Sequence, residues 1–130
     1  MSPTLSRWAP TMLSVLRIMT ALLFIQHGSQ KLFGFPPTDQ MPPVMSFMWI
    51  GGVLEFVGGI LVLIGLFTRP VSFILSGMMA VAYFMFHAPG NFYPALNGGD
   101  AAILFCFVFL YFVFSGPGPL SVDAKRSSAA

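Results

Sequence analysis

Four apolar stretches, each near the length of a bilayer-spanning helix and each ended by prolines or glycines, dominate this sequence. A helix needs roughly 20 mostly apolar residues to cross the hydrocarbon core. The stretches run over about 10–30, 46–66, 70–87 and 97–115. Pro10 and Pro70 suit first helical positions, where the missing N–H costs nothing. Gly34 to Pro43 holds four prolines and cannot continue a helix. Thr68-Arg69-Pro70 links the second and third stretches, and the segment from Ala88 to Pro94 links the third and fourth. Gly116-Pro117-Gly118-Pro119 closes the last, leaving a small, polar tail over 120–130 that is expected to fray. The reading is an all-α, integral membrane four-helix bundle in a single domain.

Composition agrees. Charged residues make up 8% and hydrophobic ones 56%, against about 25% charged in soluble domains. Such a chain cannot clothe a water-facing surface, and it is too apolar for disorder. The net charge of +2, with no basic patch interleaved with aromatics, argues against nucleic acid. Cys106 is the single cysteine, so no intrachain disulfide or redox pair is available; it reads as a small buried hydrophobe. Arg17 interrupts the first apolar stretch, which favours a retained helix over a cleaved signal. Arg7, Arg69, Lys125 and Arg126 fall on one side of a four-span arrangement and Lys31 on the other. The excess of Lys and Arg marks the cytoplasmic side, so both termini are expected there.

Ionisable groups within spans are costly, about 2.5–3.5 kcal/mol each at the helix centre, and normally face the bundle interior. Here they are Arg17, His27, Lys31, Glu55, His87 and Asp100. Glu55 shares a helix face with Gly51, Gly58 and Gly65, and a glycine face lets another helix approach closely. Glu55 is therefore expected in a helix–helix seam. By helical rise, Arg17 lies at nearly the same depth, and a buried Arg17–Glu55 pair is expected. That pair either relays a proton or only fixes helix register. His27, Lys31, His87 and Asp100 come from three helices at the outer end and are expected to line a ligand pocket. Lys31 could instead snorkel to the headgroups, and Asp100 could join Asn97 in capping a helix. No metal site is expected, because the histidines sit on separate helix ends without a ligand motif. Two stretches echo each other weakly, His27-Gly28 with Phe35-Pro36 and His87-Ala88 with Phe92-Tyr93-Pro94, as two repeated hairpins would.

These residues resemble the DoxX family of small bacterial membrane proteins. The likeness runs from about Arg17 to Pro119. It rests on Arg17, His27-Gly28, Lys31-Leu32-Phe33-Gly34, Glu55 with Gly58-Gly59, Gly65-Leu66, Thr68-Arg69, His87 and Asn97-Gly98-Gly99-Asp100. Asp100 stands where the family more often has glutamate. The resemblance implies a four-helix membrane fold in the inner membrane of a bacterial cell. It also implies kinship with membrane subunits of oxidoreductase systems, thiosulfate:quinone oxidoreductases among them, while many members have no established activity. On that footing the chain is expected to be at most a membrane subunit of a quinone-linked oxidoreductase, with quinone between its helices. The sequence carries no flavin, haem or iron–sulfur motif, so electrons would pass through a partner protein. Residues alone leave two other readings open: a non-catalytic assembly or interaction protein, and a small-solute passage formed by a homo-oligomer.

Overall fold

The structure, a computed structural model, describes residues 3–129. Among these there are helices and turns and no strand. Helix α1 covers Pro3–Phe33, α2 Phe47–Ile64, and α3 Thr68–Ala82. A π-turn at Tyr83–His87 and a 3-10 turn at Ala88–Gly90 extend α3. Then come the short α4 (Pro94–Asn97), α5 (Asp100–Ser115) and α6 (Val122–Ala129). The first two helices and the continuous stretch Thr68–Gly90 are long and apolar enough to cross a membrane. At 16 residues, α5 spans about 24 Å by helical rise, short of the roughly 30 Å hydrocarbon core.

Local signals explain the helix ends. The Ser46 hydroxyl accepts from Trp49 N at 3.3 Å and starts α2. Gly65 ends it in the left-handed conformation, φ +72°, which glycine adopts without a Cβ clash. Pro10 lies inside α1 and does not begin it; Pro3 takes the first position, a site suited to proline. Thr68 opens α3, so the link between α2 and α3 is only Gly65, Leu66 and Phe67.

The helices pack as two hairpins, α1 on α2 and α3 on α5, joined through α2 and α3. In the first, a Cβ on Gly28 would lie 2.6 Å from Phe56 N and 2.9 Å from the Gly52 carbonyl. The two backbones touch there, as small residues allow in a membrane. The seam against α1 is Gly28, Gly52 and Gly59, whereas Gly58 faces Leu75 of α3 and Gly51 has nothing within 4 Å of its Cβ position. The expected Gly51–Gly58 face is thus turned one residue round the helix. In the second hairpin the Ser76 hydroxyl donates to the Cys106 carbonyl at 2.7 Å. Between the hairpins, Phe24 meets Phe105 and Phe109 edge-to-face at 5.2 and 4.9 Å. Val62, Leu75 and Phe112 complete the buried centre.

The tail, expected to fray, forms α6 and docks. Asp123 N donates to the Gly65 carbonyl at 2.9 Å. The Asp123 carboxylate accepts from Phe67 N and Thr68 N, each at 2.9 Å. It thereby caps α3, whose preceding residue Phe67 sits at φ +53° and supplies no cap of its own. Burial pushes the Asp123 carboxyl up, but hydrogen bonds from Thr68 and Phe67, together with the charge of Arg126, outweigh this and hold it below its ordinary value. A lowered folded pKa stabilises the native state above the unfolded value, about 3.9. That contribution disappears as pH falls through the lowered folded value. Protection of the Phe67 and Thr68 amides from hydrogen exchange should therefore hold at pH 5 and weaken below about pH 4. In Asp123→Asn it should be weaker throughout and lack that step. The step persisting in Asp123→Asn would assign it to another group.

Candidate functional site

The two ends of the bundle differ. At the end holding α6, Arg17 is buried, with 1% of its surface exposed. It does not meet Glu55. Its Nε donates to the Val62 carbonyl at 2.9 Å, Nη2 to those of Leu63 at 3.3 Å and Leu120 at 2.7 Å, and Nη1 to that of Pro117. Val62 and Leu63 belong to the last turn of α2, whose carbonyls lack the regular i+4 partner; that of Val62 also accepts from Gly65 N at 3.1 Å. The expected Arg17–Glu55 pair is corrected for this reason: an arginine with five donors serves several main-chain carbonyls at once, and Glu55 has a nearer cation.

That cation is Lys31. Lys31 Nζ bonds Glu55 Oε1. Gly52, with no side chain, makes the pair reachable: a Cβ there would lie 2.8 Å from Lys31 Cβ. The lysine thus lies along α2, one turn from Glu55, with its ammonium turned inward and not toward the headgroups. The Glu55 side chain is 4% exposed and that of Lys31 27%. A buried carboxylate is tolerable when a cation of this kind accompanies it.

Beside the pair, at the end of the bundle away from α6, the hairpins separate around a cavity of about 460 Å³. Its wall is mostly apolar, including Phe24, Met79 and Phe105, and His27, Lys31, Glu55 and His87 border it. The His27 ring stands edge-on to Phe105 at 6.0 Å. His87 Nδ1 is 3.1 Å from the Asn97 carbonyl, and its ring stacks on Tyr83 at 6.3 Å. Four of the six residues singled out in the sequence therefore meet at one cavity. Arg17 lies at the other end. Asp100 stands exposed at the first position of α5, outside the lining, where a carboxylate favours the helix dipole. Asn97 Oδ1 accepts from Gly99 N at 2.8 Å just before it. Among the described residues no group of three or more His, Cys, Asp or Glu could hold a metal.

Sequence reasoning missed the aromatic walls, Phe47, Phe86 and Phe105; fifteen phenylalanines gave no signal to separate them from lipid-facing ones. It also missed the Asn97 carbonyl, since a backbone atom has no signature in residue type.

A family model described as DoxX matches residues 12–88. An uncharacterised protein of Haemophilus influenzae is 45% identical over 127 residues, covering 93% of this chain and 95% of its own length. Two proteins of Escherichia coli, inner membrane proteins YqjF and YphA, are 31% and 28% identical. They cover 84% and 89% of this chain, and 87% and 91% of their own lengths. No solved structure matches the chain.

Proposed function

The chain belongs to the DoxX family, a membrane protein with membrane-spanning helices, and from that premise we propose that it is the membrane subunit of an oxidoreductase system whose cavity takes the ring of a quinone. One observation carries the reading: an ion pair, Lys31–Glu55, borders an otherwise apolar cavity inside the bundle. Small-molecule sites are commonly apolar clefts of roughly 300–1,000 Å³ with a few placed polar groups, and about 460 Å³ falls within that range. A flat, lipid-soluble ring suits walls of Phe24, Phe105 and Met79. The bound group would supply two-electron, two-proton redox chemistry. Lys31 presents N–H donors to a carbonyl, and Glu55 has Oε2 free of the ion pair to hold a proton. Arg17 has no part in this; it holds the far end of the bundle together. Electrons would be exchanged with a partner protein.

The orientation belongs to the same proposal. Arg7, Arg69, Lys125 and Arg126 mark the α6 end as cytoplasmic in a bacterial inner membrane, so the cavity lies in the outer half of the bilayer. A fluorescent reporter fused after Ala130 should be active in the cytoplasm; activity only of a periplasmic reporter would invert the arrangement.

Mass spectrometry of lipids retained by the gently extracted protein tests the reading. Near-stoichiometric quinone is expected on the wild type, and at least about tenfold less on Glu55→Gln, as the loss of one or two charge-assisted hydrogen bonds implies. Folded wild type without quinone would overturn it. Variants that lose abundance while keeping quinone per molecule would favour an assembly role.

A further inference from the structure

The last turns of α3 depart from a regular α-helix. Over Tyr83–His87 the helix widens to a π-turn, and the Ala88 N–H bonds the Tyr83 carbonyl. On an unbroken α-helix His87 would stand about 140° round from Ala82, five residues at roughly 100° each. An i→i+5 turn brings it back above Ala82, and such insertions are frequent at functional sites. Ala82 and His87 both border the cavity. The π-turn is what delivers the imidazole to it.

One nitrogen of the imidazole is already engaged. Nδ1 lies 3.1 Å from the Asn97 carbonyl. A carbonyl oxygen only accepts, so Nδ1 carries the proton, and in the neutral ring Nε2 is a bare acceptor. Tyr83 stacks on the ring with 26° between planes. Asn97 Nδ2 in turn donates to the Tyr83 hydroxyl at 3.1 Å. Exchanging the two nitrogens would break the Asn97 bond. The cavity border therefore carries the Lys31–Glu55 pair, which offers a donor and an acceptor side by side to either form of a ring, and on α3 His87, whose Nε2 is the nitrogen left outside the Asn97 bond. A ring bearing two carbonyls finds a partner at Lys31 but sets lone pair against lone pair at His87. A ring bearing hydroxyls can donate to Nε2.

We propose that His87, positioned by the π-turn and held by Asn97, makes the cavity select a hydroxyl-bearing ring over its fully oxidised form. This rests on the reading that the cavity takes quinones, so the favoured ligand is the hydroquinone. Both forms meet the same apolar wall and the same Lys31–Glu55 pair, so the part of the selectivity that belongs to His87 is the part lost when its ring nitrogens are removed. His87 is thus a specificity-determining residue whose effect appears as a ratio of two affinities.

Calorimetric titration of the purified protein in lipid nanodiscs tests this, with decyl-ubiquinol and decyl-ubiquinone as probes. The wild type should bind the quinol about fivefold to tenfold more tightly, the worth of one buried hydrogen bond. In His87→Phe, which keeps a ring against Tyr83, the two affinities should come within about twofold, mainly through weaker quinol binding. Equal affinities in the wild type, or a preference that survives in His87→Phe, would overturn the role of His87 and leave the quinone reading standing. No binding of either probe would remove the quinone reading and this inference with it. Ring ¹⁵N shifts of wild-type His87 give a readout independent of any variant's folding. A protonated Nδ1 with a bare Nε2 is expected, and the reverse tautomer overturns the proposal.

Discussion

Replacing Arg17 with methionine will cost the bundle about 2 kcal/mol or more and lower its folding equilibrium constant at least about tenfold. The side chain is buried and satisfies carbonyls of Val62, Leu63, Pro117 and Leu120. Methionine fills similar volume and bonds none of them. The Val62 carbonyl keeps Gly65 N and the Pro117 carbonyl keeps the Ser14 hydroxyl, so the loss falls on Leu63 and Leu120, at roughly 1–3 kcal/mol for each acceptor left without a donor. The positive charge at the C-terminal turn of α2 is also lost, and it favours the helix dipole. Arg17→Lys should fall between, because three donors on one compact ammonium cannot match a planar fork serving three chain segments. Denaturant unfolding in mixed micelles measures both. A wild-type midpoint for Arg17→Met would mean that these carbonyls find other donors and that the arginine is kept for another reason.

Gly28→Ala is the second large effect. The added carbon would sit 2.6 Å from Phe56 N and 2.9 Å from the Gly52 carbonyl, both backbone atoms that cannot rotate aside. The helices must separate, at a cost of about 1–3 kcal/mol for overpacking. The separation also pulls Lys31 from Glu55, since both rest on the same α1–α2 seam. Loss of retained ligand should accompany loss of stability. Gly77→Ala is the control. It has nothing within 4 Å of its Cβ position and is exposed, so stability should stay level or rise by up to about 1 kcal/mol from helix propensity. Similar melting of the two variants would show that α1 and α2 do not touch at Gly28.

Much of the fold was legible because membrane helices announce themselves by length and apolarity, and turns by proline and glycine. The meeting of His27, Lys31 and His87 was legible for a related reason, although Asp100 was expected with them and Glu55 was not. In an up-and-down bundle, the end of one helix and the start of the next share a depth. Lateral detail was not. The depth of Arg17 was misjudged too: it meets Val62, seven residues or about 10 Å along α2 from Glu55, and the glycine face was off by one residue. The partners of Arg17 are main-chain oxygens, which carry no residue identity. α6 was read as frayed because its residues are small and polar; it is held by one carboxylate reaching two amides across 55 and 56 residues of chain, a pairing no local pattern encodes. The π-turn likewise has no composition of its own.

The clasp at Arg17 has a consequence in time. Its partners Pro117 and Leu120 lie 100 and 103 residues downstream. A ribosome therefore delivers the arginine to the membrane long before it makes the oxygens that satisfy it. Until then the arginine of the first helix has at most the Val62 and Leu63 carbonyls of α2 to meet it, and its remaining donors are left to water or headgroups. Completion of the bundle is the moment that cation disappears from view. A chain stalled or cut before Pro117 would keep it exposed, a distinguishing mark by which a membrane protease could tell an unfinished molecule from a finished one.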